Sequence, residues 1–180
     1  MAGLAAKLAG EKFFGLDIPF IDLLQADGKD RLTAAQEVFH LALTARYYGR
    51  TARRYLRSER GNGVLPLLTR VDRHYVPKGL VGVIAPWNYP LIVAICDGLP
   101  ALVAGNAIML KPDHQTPLIA LAAVELLRRT GLPADVWQVV HGRGTVVGRD
   151  VIDVSDYVCF TGSTATGRTV AAQCANRLIG

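Results

Sequence analysis

From Leu80 to the last residue the chain repeats one pattern that few folds can satisfy: a short apolar run, a stop, then a stretch with helical periodicity. Strands are predicted near 80–85, 106–111, 135–140 and 157–161, and helices near 90–103, 117–130, 144–150 and 164–176. Gly105-Asn106, Gly131-Leu132-Pro133 and Gly162 fall where elements end, since glycine closes helices and proline cannot continue them. Strands alternating with helices in this way specify an α/β fold, a parallel, doubly wound, Rossmann-like sheet with flanking helices. Upstream, Asp17–Ala26 reads as a helix with Asp17 as N-cap and Pro19 in its first turn, broken by Asp27-Gly28-Lys29. A long Ala-rich helix follows over 30–57, then a turn at Gly61-Asn62-Gly63 and an alternating, strand-like edge over Thr69–Val76. The expected organisation is an N-terminal segment 1–16 without clear period, a largely helical part 17–79 and an α/β region 80–180.

Composition excludes several classes. An apolar content of 51% with 19% charged residues in 180 suits one globular domain with a small appendage, not a disordered chain. No run of 18 uninterrupted apolar residues offers a membrane span, and Met1–Lys7 is too short for the apolar core of a signal peptide. Cys96, Cys159 and Cys174 form an odd set without metal-like spacing, which suits a reducing cytoplasm better than a disulfide framework. The net charge of +5 is concentrated in Arg46, Arg50, Arg53, Arg54, Arg57 and Arg60. With Tyr47, Tyr48 and Tyr55 interleaved, this could be a nucleic-acid surface. The reading preferred is a solvated helix face whose aromatics face the core, because no nucleic-acid motif accompanies the charges. Neither a nucleic-acid nor a membrane partner is expected.

Three strand ends carry polar chemistry. Pro86 and Pro90 bracket Trp87-Asn88-Tyr89 after the first strand, and neither proline can extend a ladder. Such a turn is either a binding element beyond a carboxyl end or a rigid connection whose Trp is core. Lys111 closes the second strand before Pro112, where an ammonium either meets a ligand or snorkels past the proline to solvent. Gly162-Ser163 opens a helix straight after a strand, where free N–H groups and the helix dipole favour an anion and Ser163 can equally serve as an ordinary N-cap. Gly142-Arg143-Gly144-Thr145-Val146-Val147-Gly148 almost fits a dinucleotide fingerprint, but its third glycine is one residue late. His141 reads as a strand-end residue rather than a ligand, and His40 and His74 have no Asp or Cys arrangement that would recruit them.

Together Pro86-Trp87-Asn88-Tyr89-Pro90, Lys111-Pro112 with Gln115-Thr116-Pro117, and Phe160-Thr161-Gly162-Ser163 with Gly167 resemble the aldehyde dehydrogenase superfamily over roughly residues 17 to 180. The resemblance implies that Lys111 binds the adenosine ribose, with Pro112, Asp113 and His114 beside it. It also implies that Gly162 and Ser163 contact the pyrophosphate, that Trp87 lines the coenzyme phosphates, and that Gly144 lies near the adenine. Asn88 would bind coenzyme and, through its amide, stabilise the oxyanion of the reacting aldehyde. Leu23–Lys29, Ala34–Glu37, Val103–Asn106 and Lys111–Asp113 resemble the NADP-linked bacterial succinate-semialdehyde dehydrogenases. His114 replaces a Glu that many NAD-preferring members use to grip the ribose, which favours NADP over the alternative, NAD.

That family's Cys nucleophile and Glu base both lie beyond the matched stretch, and none of the three cysteines corresponds to the nucleophile. The resemblance therefore implies a chain shortened at both ends, marginally stable, with an exposed sheet edge and no turnover of its own. Residues 66–78 resemble an oligomerisation hairpin, as in a parent homo-oligomer acting on a small aldehyde. The alternative is a non-catalytic nucleotide-binding module.

Overall fold

The computed structural model describes residues 17–65 and 68–180. Helix α1 spans Asp17–Ala26 and α2 spans Arg31–Tyr55; a hairpin of β1 (Glu59–Asn62) and β2 (Arg70–Arg73) follows. The α/β region then runs β3 (Leu80–Ile84), α3 (Ile92–Cys96), α4 (Gly98–Val103), β4 (Ala107–Lys111), α5 (Pro117–Arg129), β5 (Trp137–Val139), α6 (Val147–Val154), β6 (Tyr157–Phe160) and α7 (Thr164–Asn176). Strands β3 to β6 form one all-parallel sheet in the order β5-β4-β3-β6. This is the expected α/β architecture. Two apolar layers cover it. Leu91, Ile95, Leu99, Ile119, Val124 and Trp137 belong to the larger layer, which also takes Val38 and Leu41 from α2. Val151, Ile152 and Cys174, from α6 and α7, pack with Ile84 in the smaller one.

Local chemistry explains the departures from expectation. The helix predicted over 90–103 breaks at Asp97, because Pro100 has no N–H to offer the carbonyl of Cys96. The helix predicted from 144 begins at Val147 instead, which leaves Gly144 and Thr145 in a loop. Asp30 caps α2 by accepting from the Thr33 N–H at 3.0 Å, and the Thr33 hydroxyl together with that N–H holds its carboxyl below the usual range. The capping role expected of Asp17 lies outside the described side chains, and segment 1–16 and Pro66-Leu67 lie outside the described residues.

Gly61 and Asn62 are not in a turn; they pair in β1 with Val71 and Arg70. The residues of β2 are all exposed, so the alternation over Thr69–Val76 marks no buried face. The arginines of α2 are exposed as expected, and Arg57 lies past its last turn. Only Tyr48 packs against the core, whereas Tyr47 and Tyr55 are exposed and share a hydroxyl hydrogen bond of 2.6 Å. At the β6 edge the Val158 N–H, pointing away from β3, donates to the Gly180 carbonyl at 2.9 Å.

One buried amide fixes where the sheet starts. Asn106 Oδ1 accepts from Lys78 N at 2.6 Å and Gly79 N at 3.0 Å, and its Nδ2 donates to the Ala101 carbonyl at 2.8 Å. Asn106→Ala would strand the Lys78 and Gly79 N–H groups, while the Ala101 carbonyl keeps the backbone N–H of residue 106 at 3.1 Å, and unfolding in urea is expected to show a loss of about 2 kcal/mol.

Candidate functional site

Chain order explains where a ligand can sit. The strands step from β3 to β4 to β5 and then return to the other side of β3 as β6. Outside the carboxyl ends of a parallel sheet, such a reversal leaves a crevice, because the connecting loops diverge to opposite faces. An open cleft of about 540 Å³ occupies this position, walled by the segments after β3, β4, β5 and β6.

Each wall follows from its sequence. Ala85 is still tied to the sheet by its N–H to the Lys111 carbonyl at 3.1 Å; Pro86 then turns the chain out. Trp87 is 58% exposed at the cleft, which rules out the core-tryptophan reading, and Asn88 lines the cleft beside it. Neither Asn88 side-chain atom is engaged by another described residue, so its amide is free to donate. Lys111 is 3% exposed and has no hydrogen bond or ion pair among the described residues. Burial pushes its ammonium below the usual lysine range, opposed in part by the Asp113 carboxylate. A Cβ on Gly144 would lie 3.8 Å from Lys111 Nζ, so the loop after β5 closes over the ammonium. Asp113 accepts from the Gln115 N–H at 3.0 Å, and its other close neighbour is His114 Nδ1 at 3.2 Å.

The fourth wall is a helix start. Ser163 adopts extended φ/ψ and its Oγ accepts from Thr166 N at 3.2 Å, which is N-cap geometry at the mouth of a 13-residue helix. Gly162 permits close packing there, since a Cβ would meet the Phe160 ring at 2.6 Å. The cleft thus combines a lysine that has no ion pair among the described residues with the positive end of a helix, and it suits a polyanionic ligand with ribose hydroxyls.

The sequence-predicted residues Trp87, Asn88, Lys111, Asp113, His114, Gly144, Gly162 and Ser163 all border this one cleft. Pro112 lies between two of them in the chain without lining it. Thr161, Thr145 and Thr166 also line the cleft and were not anticipated; their places beside Gly162, Gly144 and Ser163 are the signal that could have found them. Among the described residues no cluster of His, Cys, Asp and Glu could hold a metal, and no helix is long and apolar enough to cross a membrane. His74 shares a hydrogen bond with Ser58 at 2.8 Å, far from this chemistry. None of the cysteines lines the cleft. Burial pushes the Cys96 thiol up to about 11 and raises those of Cys159 and Cys174.

Residues 20–179 match the family described as the aldehyde dehydrogenase family. A protein of Mycolicibacterium smegmatis named "Putative succinate-semialdehyde dehydrogenase (NADP(+))" is 51% identical over 161 residues, 89% of this chain and 31% of that protein. A similarly named protein of Mycobacterium tuberculosis is 48% identical over the same length. The chain therefore spans about a third of the length of these relatives. Among solved structures, an aldehyde dehydrogenase of Brucella melitensis biovar abortus 2308 superposes with a TM-score of 0.92 at 28% identity, covering 99% of this chain and 37% of that one. The NAD+ complex of an aldehyde dehydrogenase from Bacillus cereus gives 0.90 at 30% identity, covering 99% and 36%.

Proposed function

This chain belongs to the aldehyde dehydrogenase family, and from that premise we propose that its cleft is the coenzyme site of an enzyme oxidising succinate semialdehyde to the acid with NADP. The observation that carries the reading is Lys111, a buried lysine that meets the cleft without a hydrogen bond or ion pair among the described residues, in the same cleft as the capped N-terminus of α7. A ribose hydroxyl or phosphate oxygen at Lys111, with pyrophosphate at Gly162 and Ser163, would satisfy both. Trp87 would line the phosphates and Gly144 and Thr145 the far end. The coenzyme, when bound, supplies the hydride acceptor.

Asn88 gives this stretch its part in the chemistry. Its unengaged amide is held by the turn between β3 and α3, where it can donate to the oxyanion that forms as a nucleophile adds to the aldehyde. One preorganised donor of that kind is worth roughly 3 kcal/mol of barrier. The nucleophile itself is not among Cys96, Cys159 and Cys174, whose thiols are pushed by desolvation away from the thiolate. This 180-residue chain is accordingly expected to bind coenzyme without oxidising aldehyde.

The choice of NADP is supported by His114, which brings no negative charge to a 2′-phosphate, and by the names of the relatives. NAD remains the second reading because the Asp113 carboxylate lines the same cleft. Calorimetric titration of the chain with both coenzymes tests this. Saturable binding, tighter for NADP+, is expected; a folded chain that binds neither would overturn the coenzyme reading, and tighter NAD+ binding would overturn the preference.

A further inference from the structure

We propose that Lys29 and Glu37 form a half-buried positioning pair that sets the Trp87-Asn88-Tyr89 turn, and with it the place of the Asn88 amide. Glu37 is fully buried in the second turn of α2. Its Oε2 accepts from the N–H groups of Leu91 and Ile92, each at 3.1 Å, and its Oε1 is ion-paired with Lys29. Lys29 in turn donates to the Asn88 carbonyl at 2.7 Å and sits 4.2 Å from the centroid of the Tyr89 ring. Two side chains from outside the sheet thus grip the turn on both sides, at 88–89 and at 91–92.

The turn needs such a grip. Trp87, Asn88 and Tyr89 are all exposed, so burial of their side chains cannot fix the backbone that carries them. A cavity of about 120 Å³, bounded by Asp27, Lys29, Trp87 and Asn88 among others, lies alongside and gives a released turn room to move. A buried carboxylate is costly to desolvate, and joining a strand to a helix does not require one. Its engagement by one cation at Oε1 and two turn amides at Oε2 points to a need for a fixed position. Any effect of the pair on catalysis rests on the proposed role of Asn88; the grip on the turn does not.

Hydrogen exchange of the full chain reads the grip directly. In Lys29→Met, exchange of the Leu91 and Ile92 amides is expected to speed up by about tenfold or more, with Val83 and Leu110 unchanged as controls in β3 and β4. Acrylamide quenching should change in parallel, since exposed Trp87 dominates it while Trp137 is fully buried. Lys29→Arg, which keeps the charge and a donor, should restore both signals. Should Met at 29 prevent folding, Lys29→Gln provides the same comparison with a neutral donor. Unchanged exchange at 91 and 92, or acceleration shared equally by the strand amides, would overturn the proposal. Failure of the wild-type chain to bind coenzyme would leave this measurement intact and count only against the coenzyme reading.

Discussion

Lys111→Met is expected to stabilise the free chain while weakening coenzyme binding roughly ten- to a hundredfold. The opposed signs follow from one environment. Lys111 stands in a place where burial disfavours its charge and only the Asp113 carboxylate, without an ion pair or hydrogen bond among the described residues, compensates in part. Its folded-state pKa lies below the unfolded value, so the folded chain binds fewer protons between the two. The penalty is therefore fully present below the folded pKa, and stability rises with pH through that alkaline window until the unfolded lysine also loses its proton. At neutral pH, Met keeps the apolar stem and removes the charge, for a gain on the order of 1 kcal/mol. Charge-assisted hydrogen bonds to a ribose or phosphate are worth about 1.5–3 kcal/mol, which sets the expected loss of affinity. Urea midpoints and calorimetry measure the two effects separately. A less stable variant with unchanged affinity would show that Lys111 is a structural residue snorkelling to solvent.

How much of this was legible depended on whether the determining interaction was local. The strands β3, β4 and β6 fell within a residue or two of the sequence reading, because each is a short, largely apolar run followed within two residues by Pro or Gly. The site residues were legible for a related reason: once the strands are parallel, Pro86, Pro112 and Gly162 all mark carboxyl ends at one rim. Elements held by distant partners were not. Gly61 and Asn62 have turn chemistry, yet a partner strand eight to twelve residues away takes them into a ladder. Glu37 shows both sides of the problem. It falls in the stripe Ala34, Val38, Leu41 and Ala45 that α2 buries, so helical periodicity alone marks a charge in need of partners. Those partners are Lys29, at a helix break, and two amides more than fifty residues away, and no spacing rule points to them.

Trp137→Ala is expected to cost about 3–5 kcal/mol, whereas Trp137→Phe should change stability by no more than about 1 kcal/mol. Strand β5 has only three residues and pairs only with β4, so its ladder is a weak anchor for a sheet edge. The anchor is the Trp137 ring, which is fully buried and lies under α4 so closely that a Cβ on Gly98 would meet it at 2.4 Å. Truncation to Ala empties that space, and neighbours held in helices close only part of it. The loss is a large share of the roughly 5–15 kcal/mol that holds an ordinary domain together. Phe keeps most of the ring and removes the indole N–H, which is buried without a hydrogen-bond partner among the described residues. Relief of that unsatisfied donor offsets much of the lost volume. The consequence reaches the cleft, because β5 delivers the loop that lays Gly144 over Lys111. Urea denaturation compares the two variants, and Trp137→Phe leaves Trp87 as the sole tryptophan, so coenzyme binding can be followed by its fluorescence. If Phe proved as damaging as Ala, the indole nitrogen would have to be making a bond that packing does not explain.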